Sequence, residues 1–104
     1  MEVWKELKGH PMYSVSSYGR IKRNDTGKIH DGSIDHNGYI RFHLSEHGKT
    51  FVISGHRAVA NAFIPKPTDK TIVNHIDGNK TNNNVRNLEW CTNGENLKHA
   101  YNVL

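Results

Sequence analysis

The sequence predicts an α+β fold with many strands and little helix. Three observations support it: a β-hairpin pattern over residues 38–53, a short helical pattern over residues 56–63, and a strand, loop, strand, helix order over about 71–102. The chain has 104 residues, of which 35% are hydrophobic and 23% charged, so it is long enough for one core and too short for two.

The first 23 residues predict a small β-rich region. Aromatic and aliphatic residues recur from Trp4 to Ile21, and turn-forming sequences occur at residues 9–11 and 18–20. The segment closes on a basic, strand-like edge. Because no linker follows, we expect a soft boundary near residues 24–37, between an N-terminal region at 1–37 and a second region at 38–104.

The hairpin is predicted by alternation of apolar and polar residues. Side chains alternate from Tyr39 to Leu44, the chain turns at residues 46–49, and the pattern resumes at Thr50.

A short helix should follow the hairpin. Ser54 or Gly55 can cap it, and its alanines favour helix over residues 56–63. Pro65 and Pro67 should end it, because proline cannot continue a helix.

The last third predicts two strands and a helix. Residues 71–76 are β-branched and apolar, residues 79–84 form a polar loop, and residues 85–91 supply the second strand. Thr92 and Glu95 have the spacing of a capping box, which predicts a helix from Asn93 to about Asn102.

Asparagine is concentrated in this last third. Eight of the chain's twelve asparagines lie between Asn74 and Asn96. Amides are poor core material because each needs hydrogen-bond partners once buried. We therefore expect the functional chemistry in this segment.

Charge and cysteine content narrow the class of protein. The net charge of +4 favours a polyanionic partner, nucleic acid first, over a merely solvated basic surface. Cys91 is the single cysteine, which excludes an internal disulfide and fits a reducing, cytoplasmic setting. The first residues are polar and no long apolar run follows, so we expect no signal peptide and no membrane-spanning segment.

The motifs resemble those of the HNH endonuclease family, in the subgroup of phage and homing endonucleases. The resemblance rests on Ile72-Val73-Asn74-His75-Ile76-Asp77-Gly78-Asn79-Lys80, Asn83-Asn84, Asn87-Leu88-Glu89-Trp90-Cys91-Thr92, Glu95-Asn96 and His99-Ala100. Upstream, residues 56–65 resemble the helix that precedes this motif, and residues 4–7 with 13–21 resemble an N-terminal motif associated with such nucleases. Only residues 24–37 lack a clear counterpart.

The resemblance implies a fold and a reaction. The fold would be a ββα-metal finger at about residues 71–102, binding one divalent ion, Mg²⁺ or Mn²⁺, and the reaction would be hydrolysis of a DNA phosphodiester. His75 would be the general base, a role that suits a neutral imidazole. Asn87 would hold the loop and help to orient His75. The metal ligands would be Asn74 and Asn96, with His99 as a possible third.

Position 74 departs from a common family pattern, in which an acidic residue or histidine often stands there. An amide oxygen can bind Mg²⁺ or Mn²⁺ but carries no charge, so the DNA phosphate would have to complete the site. Asp77 is a possible nearby carboxylate. Since neighbouring residues of a regular strand face opposite sides, the strand should distort for Asn74 and His75 to reach one phosphate.

DNA binding would rest on cationic side chains that contact phosphates. The candidates, chosen by charge and placement, are Arg20, Lys22, Arg23, Arg41, Arg57, Lys80 and Arg86. His56 is either structural or a phosphate contact. One metal finger cuts one strand, so a monomer would nick double-stranded DNA, and a double-strand break would need a homodimer or two events.

Two other hypotheses about the function remain open. The chain could be a DNA-binding module of the same fold with weak or lost catalysis, or a structural protein without a nucleic-acid role.

Overall fold

Four antiparallel strands form the N-terminal part of the computed structural model, which describes residues 1–95. They lie side by side in chain order: β1 (Trp4–Leu7), β2 (His10–Ser16), β3 (Ile21–Arg23) and β4 (Ile29–His30). The basic segment predicted as an edge is β3. It is an inner strand, because β4 pairs with its other side.

A second antiparallel sheet contains β5 (Ser33–Ile34), β6 (Ile40–Glu46) and β7 (Lys49–Ser54). The predicted hairpin is confirmed as β6 and β7. Glu46 pairs with Lys49, which leaves a two-residue turn in which His47 and Gly48 have φ angles of 52° and 77°. Positive φ at both positions matches the right-handed twist of the paired strands.

The predicted helix is confirmed as α1 (Gly55–Phe63). Ser54 occupies the N-cap position, but its hydroxyl bonds His56 Nδ1 at 2.9 Å and makes no capping hydrogen bond. The helix ends at Phe63, and the following C-cap residue, Ile64, is extended, as expected for a residue before proline.

A third sheet pairs β8 (Ile72–His75) with β9 (Leu88–Cys91). The predicted second strand was three residues too long, because Val85–Asn87 form a 3-10 turn. Asn84 tightens this turn: its side-chain oxygen accepts from Arg86 N at 3.0 Å and its carbonyl accepts from Asn87 N at 2.8 Å.

Helix α1 lies between the three sheets and contacts strands of each. Val59 and Ala60 are completely buried. Alanine at the centre lets strands approach the helix closely, so one core serves the whole described chain.

The predicted capping box is confirmed. Thr92 N donates to Glu95 Oε1 at 2.9 Å, and Glu95 N donates to Thr92 Oγ1 at 3.2 Å. The helical turn begins at Asn93. The rest of the predicted helix, with Asn96 and His99, lies outside the described residues. Over residues 1–95, no helix is both long enough and apolar enough to cross a membrane.

Candidate active site

His75 is the last residue of β8, and its side chain is buried. Its Nε2 lies 2.7 Å from Asn83 Oδ1. A carboxamide oxygen can only accept, so Nε2 donates to it, and in a neutral ring Nδ1 then carries the lone pair. The hydrogen bond therefore selects one tautomer of His75.

Asn83 packs closely against the chain at two glycines, where a larger residue would not fit. A Cβ atom on Gly19 would lie 2.8 Å from Asn83 Cβ, and one on Gly55 would lie 2.9 Å from Asn83 Nδ2. Gly19 also has a φ of +92°, which disfavours any side chain there. Asn83 thus sits between the turn after β2 and the start of α1. The sequence predicts Asn83 only as part of the polar loop over residues 79–84, and no local pattern indicates its contact with His75.

Three rings form an aromatic cluster, which consists of Tyr39, His56 and His75. Tyr39 stacks on His56 with centroids 5.0 Å apart, and the rings of His56 and His75 are 5.1 Å apart. Burial, reinforced by His75, lowers the pKa of His56 from 6.5 to about 4. His56 is therefore neutral near pH 7, and it joins the cluster through its ring.

Lys80 lies at the edge of the aromatic cluster. Its Nζ lies 5.0 Å from the centre of the Tyr39 ring and donates to Asn37 O at 2.9 Å. An exposed ammonium beside these rings is a suitable contact for a phosphate.

Asn87 organises the loop between β8 and β9. Its Nδ2 donates to Asp77 Oδ1 and to Asn82 O, both at 2.9 Å, and its Oδ1 accepts from Asp77 N at 3.0 Å. The Asp77 carboxylate also accepts from Asn79 N and Asn82 Nδ2, and these hydrogen bonds lower its pKa. Asp77 therefore belongs to the loop, and Asn87 reaches His75 through the loop.

Asn74 pairs across the sheet with Glu89, and its Nδ2 donates to Glu89 Oε1 at 3.0 Å. The distortion expected in β8 is absent: every residue from Ile72 to His75 pairs in unbroken register. The side chains of Asn74 and His75 therefore leave opposite faces of the strand. The chain turns immediately afterwards, where Gly78 N donates to His75 O at 2.9 Å.

The donor atoms present favour an oxygen-bound cation. Among residues 1–95, no three His, Cys, Asp or Glu side chains come together in a way that could hold a metal ion. Amide and carboxylate oxygens, such as those of Asn74 and Glu89, are the ligands that Mg²⁺ and Mn²⁺ accept. The predicted ligands Asn96 and His99 lie outside the described residues.

The predicted DNA-contacting cations have different surroundings. Arg20, Arg23 and Arg41 form ion pairs with carboxylates. Arg57 donates to Thr71 O, and Lys22 lies over the Trp4 ring. The side chain of Arg86 is exposed. Their phosphate contacts stay predictions.

Comparison with known families gives two matches along the chain. A model of the NUMOD4 motif matches residues 2–45, and a model of HNH endonucleases matches residues 55–98.

Two individual relatives are endonucleases as well. An uncharacterized HNH endonuclease of Acanthamoeba polyphaga mimivirus, L245, is 39% identical over 93 residues, covering 89% of this chain and 28% of the relative. The DNA endonuclease I-HmuI of Bacillus phage SP01 is 36% identical over 97 residues, covering 92% of this chain and 56% of the relative.

The fold matches a solved structure as well. The structure titled "DNA binding and cleavage by the HNH homing endonuclease I-HmuI" superposes with a TM-score of 0.85 at 34% identity, over 98% of this chain and 60% of that one. The chain thus spans about a quarter of the length of the mimivirus relative and little more than half of the phage enzyme.

Proposed function

The chain belongs to the HNH endonuclease family, in its phage and homing subgroup, and we propose that it is a metal-dependent DNA endonuclease with His75 as general base. The hydrogen bond of His75 to Asn83 carries the proposal, because it gives the base a fixed ring and a fixed tautomer. The related phage protein is itself named a DNA endonuclease, which supports the same reaction class.

His75 would act through Nδ1. As the oxygen of a water molecule attacks the phosphorus, Nδ1 takes its proton, the bond to the 3′ oxygen breaks, and that oxygen takes a proton from solvent. Positioned general bases contribute roughly 10²- to 10⁴-fold to such reactions.

Asn74 would hold one Mg²⁺ or Mn²⁺ ion through Oδ1, with Asn96 and His99 as further ligands. When bound, such an ion stabilises the charge that develops on the phosphate and on the leaving oxygen. The amide adds no charge, so the DNA phosphate would have to complete the site. Because Asn74 and His75 leave β8 on opposite faces, we expect the chain to bend at His75 when DNA binds, so that both side chains reach one phosphate.

The proposed partner is double-stranded DNA in the cytoplasm of a bacterial or phage-infected cell. Residues 1–37 would be an N-terminal region that contacts DNA, and residues 38–104 the nuclease domain. Lys80 is the best-placed cation, because it touches the aromatic cluster around His75. A monomer with one site would nick, and a homodimer could cut both strands.

A second candidate is a DNA-binding module with weak or lost catalysis. The observation that favours it is the uncharged Asn74 at the position of a metal ligand. It predicts salt-sensitive DNA binding without metal-dependent cleavage.

A plasmid assay tests the proposed function. Supercoiled plasmid incubated with the protein and Mg²⁺ or Mn²⁺ should relax to nicked circles, and EDTA should stop the reaction. His75→Ala should lower the rate by about 10²-fold or more and leave DNA binding intact, because it removes the base alone.

His43→Ala is the matched control, since His43 is an exposed histidine on β6. It should cut like the parent protein. Equal cutting by His75→Ala would refute the mechanism, and binding without any metal-dependent cutting would favour the second candidate.

A further inference from the structure

Asn74 and Glu89 form a side-chain pair on one face of the third sheet. They are direct partners in the β8–β9 ladder, and Asn74 Nδ2 donates to Glu89 Oε1 at 3.0 Å. Asn74 is only 7% exposed, whereas Glu89 is exposed. A buried amide is therefore tied to a carboxylate at the surface.

The hydrogen bond fixes the direction of the amide. A carboxylate can only accept, so Asn74 must turn its NH₂ group toward Glu89 and its oxygen away from it. Within residues 1–95, Asn74 Oδ1 accepts no side-chain hydrogen bond. The oxygen is therefore oriented by Glu89 without being used by another described side chain.

Glu89 also adds charge where Asn74 has none. Among residues 1–95, no Lys, Arg or His forms an ion pair with Glu89. Its negative charge is therefore not neutralised by a described side chain, and it lies one hydrogen bond from the amide.

We propose that Glu89 is the positioning residue of the metal site, holding Asn74 Oδ1 toward the divalent ion and supplying the negative charge that the amide lacks. This inference rests on the proposed function. Hydrogen-bond partners of metal ligands commonly fix the ligand's orientation and strengthen it as a donor. The Asn74–Glu89 pair would then provide together the oriented oxygen ligand and the negative charge that a single carboxylate at position 74 would provide alone.

A merely structural role is the alternative, because cross-strand pairs also stabilise sheets. The two roles differ in what they predict for metal affinity. A structural pair affects the melting temperature alone, whereas a positioning carboxylate affects the binding of Mn²⁺ even when the fold is unchanged.

Mn²⁺ titration followed by electron paramagnetic resonance tests the proposal. The full chain is used with a DNA duplex in a His75→Ala background, which blocks cleavage so that the complex persists. Glu89→Gln should weaken Mn²⁺ binding by about tenfold or more, and Glu89→Ala should weaken it at least as much. Glu6→Gln removes a charge from an exposed glutamate on β1 and should leave the affinity unchanged.

A charge swap provides the sharper test. Asn74→Asp in the Glu89→Gln protein returns one carboxylate to the pair and should restore most of the Mn²⁺ affinity. Unchanged affinity in both Glu89 variants, or no restoration by the swap, would overturn the role of Glu89 while leaving the nuclease proposal intact. Absence of Mn²⁺ binding by the parent complex would overturn both proposals.

Discussion

His75 is held from two sides, by a hydrogen bond at Nε2 and by ring contacts with His56 and Tyr39. A catalytic base commonly needs a third group that fixes its tautomer and direction. For His75, the proposed base, that group would be the Asn83 amide, which is neutral. It orients the ring, but it stabilises the protonated imidazole less than a carboxylate would.

Two substitutions of Asn83 should separate its effect on the orientation of His75 from the effect of a charge beside that ring. Asn83→Ala removes the acceptor and should lower kcat by about tenfold or more with little change in KM. Asn83→Asp keeps an acceptor and adds a negative charge, so it should retain more activity than Asn83→Ala and move the acidic limb of the pH–rate profile to higher pH.

The pH–rate profiles of both variants provide the measurement. Asn61→Ala, an exposed asparagine on α1, should match the parent protein. An unshifted profile in Asn83→Asp together with full activity in Asn83→Ala would show that Asn83 does not position His75.

The loop between β8 and β9 is stabilised mainly by amides and one carboxylate. Asn87 uses its whole side-chain amide on Asp77 and Asn82, so its three hydrogen bonds close the loop around a single residue. Such a loop needs no apolar core of its own. Its order depends on a few buried polar groups, each costly to leave unpaired.

Asn87→Ala should therefore destabilise the protein strongly for a single polar change. Loss of three hydrogen bonds at about 1 kcal/mol each predicts a decrease of about 2–4 kcal/mol in the free energy of unfolding. Urea denaturation measures it, and faster amide exchange at residues 77–82 would locate it. A change below about 0.5 kcal/mol, the size usual for a surface substitution, would contradict this account of the loop.

Two elements of the fold could be predicted because a short stretch of sequence specifies each of them. The hairpin follows from alternation and a glycine turn, and the capping box from the spacing of Thr92 and Glu95. The 3-10 turn at Val85–Asn87 was missed, because the Asn84 side chain competes with strand pairing there.

The site was predictable only in part, for a different reason. His75 stands out by motif, but its partner Asn83 is selected by burial against Gly19 and Gly55, which are distant in sequence. Likewise, Glu89 opposes Asn74 only because the register pairs them. Pairings fixed by tertiary packing leave no local pattern to read.

The region that matches the NUMOD4 motif and the region that matches HNH endonucleases contact each other at the candidate active site. Asn83 packs against the turn that follows β2, and Val85 N donates to Ser17 O at 2.8 Å. The N-terminal sheet therefore supports the residue that orients His75. Because α1 contacts all three sheets, we expect the described chain to unfold as one unit.

Because the described chain is expected to unfold as one unit, the protonation of the half-buried His56 should affect the stability of the whole fold. Its pKa is about 4 in the folded protein and near 6.5 when exposed. The unfolded chain therefore binds a proton between these values that the folded protein does not. By linkage, stability contributed by neutral His56 is complete above pH 6.5 and is lost as the pH falls toward 4.

The pH dependence of unfolding tests this coupling. Lowering the pH from 6.5 to 4 should decrease the free energy of unfolding by about 1–2 kcal/mol through His56, less than the full pKa shift would give, because the ring is partly exposed to solvent. His56→Gln cannot titrate, so its stability should vary less over this range, whereas His43→Gln, at an exposed histidine, should keep the parent slope. Asp35 and Glu2, whose pKa values are about 2, lose their contributions mainly at lower pH. An unchanged slope in His56→Gln would mean that the ring is not held neutral in the folded protein.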